Sequence, residues 1–501
     1  MKRVSSVFYI TIALVAIAVI LGGVFPEGFE RITGNVTSFI ADIFGWYYMW
    51  VMGGLVLLSV FIGFSKYGKI RLGKDHEKPD FSTPSWIAML FSAGLGIGLV
   101  FYGAAEPLFH GFLDAPLSEP GTDQAVKEGL AVTFFHWGFH GWAMYGMVAL
   151  ALAFFQFRKD EPGLISATLK PLFGDRMKGP IGKLIDILAA FATIFGVATS
   201  LGFGAAQING GLNHLFGINV GFTSQFIIVA IVTVLFLISA WSGLSKGIKY
   251  LSNANMVLAT LLLIAILIVG PTMLILNLFT ETFGLYLQNI VQWSLRTASL
   301  EGDNRGWLDA WTIFYWAWWI AWAPFVGMFI ARVSKGRTIR EFILGVLVVP
   351  TLIVSVWFSA FGTTAGEVQK SGVDLTQYAT ELVLFNMFDQ LPMSGLLSMI
   401  AIFLIVSFFV TSADSATLIL GIQSTNGNLQ PANSVKVIWG LAQSSVALVL
   451  LYVGGLTALQ NTIIAAALPF SFIMILMMAS LVKALRREVR EMHKPVKIKK
   501  E

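Results

Sequence analysis

The sequence predicts an all-α polytopic membrane protein with twelve transmembrane helices. Its 501 residues are 56% hydrophobic and 12% charged, which is too apolar for a water-soluble protein. Apolar runs of spanning length recur along the chain, and most of its 33 Lys and Arg residues fall in the loops on one predicted side. The basic residues on the other side are Arg31, Lys127, Arg296, Arg305 and Lys370. This asymmetry predicts cytoplasmic termini and explains the net charge of +5 without nucleic acid.

The spans are predicted from the position and length of the apolar runs. The first run follows Met1, Lys2 and Arg3 like a signal sequence, but no small-residue cleavage site follows it, so we interpret it as a retained span. Residues 281–297 are too polar to span, and we expect an external amphipathic helix there. The twelve runs lie near residues 7–25, 46–65, 85–105, 127–156, 184–212, 223–241, 250–277, 307–331, 341–362, 396–421, 436–454 and 457–483.

The third span carries glycine at alternate positions, Gly94, Gly96 and Gly98. Each glycine costs about 1 kcal/mol relative to alanine inside a helix, so three of them predict that the helix opens here. Opened backbone at membrane depth must be buried in protein or line a cavity, where its amides and carbonyls bind ions or polar solutes. A close crossing of two helices is the alternative explanation.

Large aromatic side chains concentrate in the fourth and eighth spans. At about 100° per residue, Trp137, Trp142 and Tyr145 share one face of a continuous helix. Aromatic rings around a void suit quaternary ammonium groups, which cation–π contacts hold by up to about 2 kcal/mol each when desolvated. Simple aromatic packing of the bundle is the alternative. The eighth span contains Pro324, a predicted helix breaker, and its tryptophans are Trp311, Trp316, Trp318, Trp319 and Trp322.

The tenth span places polar groups at membrane depth in the stretch Ser407–Ser415. The hydroxyls of Thr411 and Ser412, together with carbonyls of an opened helix, are hard oxygen ligands suited to sodium. Alternatively, these hydroxyls bond to carbonyls of their own helix, as most membrane Ser and Thr residues do. Thr193 in the fifth span is a weaker candidate.

The sequence does not favour an enzyme or a channel. It has no cysteine, which excludes disulfides, thiolate metal sites and a cysteine nucleophile. His136 and His140 have the i, i+4 spacing of a metal pair, but the sequence indicates no carboxylate near them. A channel would show repeated pore rings. The other acid or base candidates, Glu106, Asp186 and Asp414, lie on separate spans.

Four stretches resemble the betaine/choline/carnitine transporter family: Gly94–Pro107, Phe135–Trp142, Trp311–Trp319 and Thr411–Ser415. The resemblance extends over essentially the whole chain, and the tryptophan-rich eighth span is sufficient to identify the family. It implies a transporter of the plasma membrane, usually trimeric, with a LeuT-like core of two inverted five-helix repeats.

On this resemblance the chain divides into five parts. These are two amino-terminal spans with a loop over residues 1–82, a first repeat over 83–280, an external connecting helix over 281–300, a second repeat over 301–484 and a basic tail over 485–501. The tail is expected to attract anionic lipid.

The resemblance also implies a substrate site in which an aromatic box holds a trimethylammonium group. The box residues would be Trp137, Trp142, Tyr145 and Trp319, and the backbone near the substrate would be that of Gly94, Gly96 and Gly98. The aromatic lining of the pathway would be Trp318, Trp322, Phe325 and Phe329.

A sodium site is implied where the opened third span meets the tenth. Its ligands would be the backbone of Ser92 and Leu95, the carbonyl of Phe408 and the hydroxyls of Thr411 and Ser412. A second sodium site would use Ala93, Tyr145, Thr193 and Phe325. Val197 departs from the family pattern, which has a hydroxyl one turn after Thr193.

Charge favours glycine betaine as the substrate, imported with sodium. This zwitterion brings its own carboxylate, which freed amides around Gly94 to Gly98 could meet. Choline, a bare cation, would favour an acidic side chain near the box. Choline carriers of the family have such an acid near the third glycine of this stretch, whereas this chain has Gly98 there. A choline transporter and a sodium-independent exchanger of carnitine or betaine are the alternatives. The exchanger would leave Thr411 and Ser412 without a role.

Overall fold

The computed structural model describes residues 4–94, 96–242 and 245–492, and within them the secondary structure is helical without a β-strand. An isolated bridge joins Arg71 to Thr338. The helices of the first half are α1 Ser6–Val24, α2 Pro26–Phe64, α3 Thr83–Gly94, α4 Ile97–Tyr102, α5 Ala105–Phe112, α6 Asp123–Trp137, α7 Phe139–Ala153, α8 Lys170–Phe173 and α9 Pro180–Phe216. Those of the second half are α10 Phe222–Ser242, α11 Ser245–Val269, α12 Thr272–Ser294, α13 Asn304–Leu308, α14 Phe314–Val333, α15 Ile339–Lys370, α16 Thr380–Phe388, α17 Ser394–Ser424 and α18 Asn433–Met492.

Ten segments of the described residues are long and apolar enough to cross a membrane, against twelve predicted spans. The third predicted span is divided between α3 and α4, and each piece is too short to cross alone. The last two predicted spans lie in α18, whose backbone leaves helical angles at Gly454 and Gly455. The structure therefore confirms a multi-pass helical membrane protein, and the continuous helices do not by themselves give twelve.

The third span is interrupted where its glycines predict an opening. Helix α3 ends at Gly94, α4 begins at Ile97, and Gly96 between them has φ −120° and ψ −141°. Leu95, a predicted sodium ligand, lies outside the described residues. The opening predicted for this span is therefore confirmed at Gly96.

Side chains of neighbouring elements fasten both pieces of the interrupted span. The Trp357 indole on α15 donates to the Leu99 carbonyl over 2.9 Å, and the Gln207 amide on α9 donates to the Val100 carbonyl over 3.2 Å. On the other side, the Trp86 indole of α3 donates to the Ser334 hydroxyl over 2.9 Å. Buried carbonyls that a short helix leaves free are thereby satisfied.

Three predictions of local structure were wrong. The fourth span is not one continuous helix, because Gly138 breaks it with φ −92° and ψ −131°. A side chain at Gly138 would meet the Tyr286 hydroxyl at 2.9 Å, so α12 packs against the break. Helix α14 continues through Pro324. A proline is tolerated in a membrane helix because neighbouring helices can satisfy the backbone groups that it leaves free. The polar connecting helix begins at Thr272 rather than near 281, because the chain turns at Gly270 and Pro271.

The spans that carry the aromatic clusters occupy the centre of the bundle. In the most apolar windows of Asp123–Arg158 and Asn304–Val333, 94% of the residues are buried. The corresponding share is 28% for Ser6–Val24 and for Phe222–Ser242, and 22% for Tyr250–Val269, so these helices lie at the periphery. The aromatic residues predicted for the site in these two spans, Trp137, Trp142, Tyr145, Trp318, Trp319 and Trp322, are therefore inside the protein and do not form an interfacial belt.

Candidate functional site

Of the four predicted box residues, Trp137 and Tyr145 contact Trp319 of α14, and Trp142 joins them through Tyr145. The ring of Trp319 lies 5.0 Å from that of Trp137 and 5.9 Å from that of Tyr145, and Trp142 packs edge-on against Tyr145 at 5.9 Å. The Trp319 indole donates to the His136 carbonyl over 2.9 Å, which fixes its orientation. Because Gly138 breaks the helix, Trp137 approaches Trp319 from α6 while Trp142 and Tyr145 approach from α7.

A second set of rings extends the cluster along α14 toward the interrupted span. Trp318 stacks on Trp319 at 5.1 Å, Trp322 meets Trp318 at 6.4 Å, and Phe325 meets Trp322 at 5.7 Å. The indole N–H groups of Trp318 and Trp322 and the Tyr145 hydroxyl are buried and have no hydrogen-bond partner among the described residues. Buried donors of this kind are rarely left unpaired without a functional reason.

The interrupted span touches both the aromatic cluster and α17. A Cβ atom added at Gly98 would lie 2.7 Å from Trp318 and 2.9 Å from Trp137. A Cβ at Gly96 would lie 3.6 Å from the Ser412 hydroxyl and 3.7 Å from Trp322. The backbone of α4 and the residue before it therefore lies directly against the rings and beside the predicted sodium ligands.

The hydroxyl of Thr411 belongs to a buried polar network. It donates to the carbonyls of Ser407 and Phe408 over 3.0 and 3.2 Å, and it accepts a hydrogen bond of 3.0 Å from the Asn255 amide. The Ser407 hydroxyl donates to the same Asn255 side chain. Asn255 on α11 is fully buried and was missed in the sequence, although a polar residue within an apolar span is a signal that could have identified it.

A carboxylate lies behind the box, where the sequence indicated none. The Glu106 carboxylate on α5 accepts hydrogen bonds from His136 Nδ1, the Trp137 indole and the Tyr315 hydroxyl. Together with His110, the ligand atoms of Glu106 and His136 lie within 4.8 Å of one another. His140 is not part of this group, since its Nε2 pairs with the Ser294 hydroxyl at 2.7 Å.

Comparison with known proteins decides the class of this chain. A sequence model described as "BCCT, betaine/carnitine/choline family transporter" matches residues 6–490. The chain belongs to the BCCT family. The BCCT family consists of transporters, so this protein is a membrane transporter and not an enzyme.

Three curated relatives illustrate the similarity to this BCCT protein. The glycine betaine transporter OpuD of Bacillus subtilis is 56% identical over 501 residues, covering 100% of this chain and 98% of the relative. A probable glycine betaine transporter of Desulfitobacterium hafniense is 43% identical over 494 residues, covering 97% of this chain and 98% of the relative. An ectoine/hydroxyectoine transporter of Virgibacillus pantothenticus is 42% identical over 488 residues, covering 96% of each chain.

The residues of the second implied sodium site have the following surroundings in this BCCT protein. The Thr193 hydroxyl donates to the Ala189 carbonyl of its own helix over 2.8 Å, and Val197 one turn later is buried and apolar. Tyr145 and Phe325 both belong to the aromatic cluster described above. Ala93, like Ser92, lies in the last turn of α3.

We expect the substitution Gly98→Ala to raise the apparent KM for the transported solute about tenfold. The added methyl would displace Trp318 and Trp137, and overpacking of this kind costs about 1–3 kcal/mol. Uptake kinetics in vesicles measure the change. Gly284→Ala on α12 is the matched control, because no atom lies within 4 Å of its added Cβ. An unchanged KM in Gly98→Ala would mean that the exact position of these two rings does not matter.

Proposed function

We propose that this BCCT protein imports glycine betaine by symport with sodium. The observation that carries the proposal is the contact of Trp137 and Tyr145 with Trp319, with Trp142 packed on Tyr145, beside the interrupted span. Quaternary ammonium groups have no protons to donate, and faces of aromatic rings hold them by cation–π contacts. Two similar transporters, of Bacillus subtilis and Desulfitobacterium hafniense, are named for glycine betaine, and this supports glycine betaine as the substrate.

The unpaired donors of the cluster suit the other end of a zwitterion. The indole N–H groups of Trp318 and Trp322 and the Tyr145 hydroxyl can each donate to a carboxylate. Gly98 leaves no room for an acidic side chain between Trp318 and Trp137, which a bare cation such as choline would favour. The site therefore supports betaine over choline, and it needs no acid in direct contact with the substrate.

Sodium would bind where α17 meets the interrupted span. The proposed ligands there are the Phe408 carbonyl and the hydroxyls of Thr411 and Ser412, joined by the backbone of Ser92 and Leu95. The proximity of Gly96 to Ser412 and to Trp322 supports this location. An ion held there would stabilise the opened span against which the aromatic cluster packs. Ion and solute would thus share one element, which is sufficient for coupling.

The architecture that we propose has twelve crossings, cytoplasmic termini and a trimeric assembly. Residues 83–280 and 301–484 would form inverted repeats around the site, joined by the connecting helix. The helix interruption at the start of the first repeat and the π-helical turn Asp309–Ile313 at the start of the second support this pairing. The larger number of basic residues on one predicted side supports the orientation.

Anionic lipid is the proposed partner of the basic end of α18. Helix α18 continues the last predicted span to Met492, and residues 493–501 of the predicted tail lie outside the described part of the chain. An open cavity of about 1540 Å³ lies at this end. Its basic lining residues are Lys159, Lys170, Lys483, Arg486, Arg487 and Arg490. Each basic residue near an anionic membrane surface contributes about 1 kcal/mol of attraction.

We expect replacement of Arg486, Arg487 and Arg490 by glutamine to lower uptake severalfold in vesicles that contain phosphatidylglycerol. Uptake in neutral vesicles should equal that of the unmodified protein, because the lost attraction is to anionic headgroups. The control replaces the exposed Lys66 and Lys69, which lie on the same predicted side. An unchanged response to phosphatidylglycerol would contradict the proposed partner.

Uptake of radiolabelled betaine, choline and carnitine into proteoliposomes, with and without a sodium gradient, tests the function. We expect betaine to accumulate only with the gradient. Preferred choline uptake would favour the choline transporter, and sodium-independent exchange of preloaded carnitine or betaine would favour the exchanger. Either result would overturn the proposal.

A further inference from the structure

A fully buried carboxylate stands directly behind the aromatic box. Glu106 is 0% exposed and follows the interrupted span on α5. Its Oε2 accepts from the Trp137 indole over 2.7 Å and from the Tyr315 hydroxyl over 2.5 Å, and its Oε1 accepts from His136 Nδ1 over 2.7 Å. A single side chain on α5 thus holds one ring on α6 and one on α14.

The donors around Glu106 fit an ionised carboxylate. An indole can only donate, so the Trp307 indole, 3.2 Å from His110 Nδ1, requires that nitrogen to be an unprotonated acceptor. His110 is then neutral with its proton on Nε2, which faces Glu106 Oε1 at 3.5 Å. Trp137, Tyr315 and His136 therefore all direct hydrogen-bond donors at one acceptor group, while His110 Nε2 lies near it without a hydrogen bond. Hydrogen bonds to a charged acceptor are the strong ones.

The same contacts argue against a metal ion among Glu106, His110 and His136. A metal needs free lone pairs on its ligands. Trp307 occupies the Nδ1 lone pair of His110, and Trp137 and Tyr315 occupy Glu106 Oε2. The His136 nitrogens are engaged with Glu106 and, at 2.9 Å, with the Thr312 hydroxyl. The cluster is a hydrogen-bonded network built around one charge.

Of the two rings that Glu106 holds, Trp137 belongs to the box and Tyr315 packs against it. Trp137 lies 5.0 Å from Trp319, and Tyr315 stacks on Trp319 at 5.7 Å and on Trp318 at 6.2 Å. A negative charge behind these rings, in the buried interior of the bundle, acts on a cation in front of them over several ångströms. The same charge attracts an uncharged group of the same shape far less.

We infer that Glu106 is a positioning and specificity-determining residue of this transporter, and that its charge makes the box select a cationic head group over a neutral one of the same shape. The inference rests on the proposed function, because it takes the box to be the substrate site. It differs from a purely structural role of Glu106, which would affect ligands of both kinds alike.

A pair of isosteric ligands measures this selectivity in the full-length protein in proteoliposomes. Glycine betaine and 3,3-dimethylbutanoate have the same shape and the same carboxylate, but the latter has carbon in place of the quaternary nitrogen. The ratio of their inhibition constants against radiolabelled betaine uptake is the readout. We expect Glu106→Gln to lower this ratio roughly tenfold, since the attraction that is lost acts on betaine alone.

The controls separate charge from geometry. Glu106→Asp keeps the charge at a shorter reach, so affinity for both ligands should fall while their ratio stays within about threefold of the unmodified protein. Asp186→Asn alters another buried carboxylate, which pairs with Ser166, and should leave the ratio unchanged. If Glu106→Gln does not fold, as judged by thermal unfolding of the purified protein, a tenfold fall of the ratio in Glu106→Asp still overturns the inference.

An unchanged ratio in folded Glu106→Gln, or a tenfold fall in Glu106→Asp, would overturn the inference. Failure of the proposed function is a separate result, because it would appear as absent betaine uptake by the unmodified protein in the same vesicles.

Discussion

Replacing Trp319 with leucine is expected to raise the apparent KM for glycine betaine about 30-fold, with the protein still folded. Trp319 is the ring on which Trp137, Trp318 and Tyr145 converge, at 5.0, 5.1 and 5.9 Å. Leucine fills part of the volume but has no π face, so a contact of about 2 kcal/mol with the trimethylammonium group is lost. Initial rates of betaine uptake into proteoliposomes over a range of concentrations give the value.

The matched control is Trp50→Leu, at a position that is 62% exposed on α2 and remote in sequence from every predicted site residue. The same exchange there should leave KM unchanged. Thermal unfolding of both purified variants checks the fold. Betaine uptake by Trp319→Leu with unaltered kinetics would remove the box from the proposal.

The double substitution Thr411→Ala with Ser412→Ala is expected to abolish the stimulation of uptake by sodium. Alanine removes the two proposed hydroxyl ligands and leaves the Phe408 carbonyl and the proposed backbone ligands, which are too few oxygens to replace the water around the ion. Uptake in a sodium gradient should therefore fall to the level measured without sodium. The double substitution also removes the 3.0 Å contact between the Asn255 amide and the Thr411 hydroxyl. Asn255→Ala alone removes the same contact and should therefore weaken the apparent sodium affinity.

Ser415→Ala with Thr417→Ala is the control on the same helix. Thr417 is buried but donates only to the Asp414 carbonyl of α17, so its loss should not affect the ion. Undiminished sodium dependence in the Thr411 and Ser412 variant would count against this location of the ion site. It would leave the aromatic box untouched, because the two tests use different residues.

The aromatic and hydroxyl residues could be chosen from the sequence as candidate site residues because their chemistry is unusual for their location. Five tryptophans in one span and alternate glycines in another are costly in a plain membrane helix, so they indicate a function. The structure brings Trp137, Tyr145 and Trp319 together and interrupts the third span at Gly96, in agreement with those indications.

Contacts between distant parts of the chain could not be predicted in the same way. Glu106 and Tyr315 are 209 residues apart, and Asn255 and Thr411 are 156 residues apart, so no local pattern links them. The break at Gly138 was missed because a single glycine in a helix is usually tolerated. Here the close approach of Tyr286 and Thr351 makes the difference, and that is visible only in three dimensions.

The two pieces of the interrupted third span are fastened to different neighbours. Trp86 ties α3 to the end of α14 through Ser334, whereas Trp357 and Gln207 tie α4 to α15 and α9. Each link is worth about 0.5–1.5 kcal/mol. Breaking one set of links would leave the other half-helix docked to its own neighbours, so the two pieces are not obliged to move together.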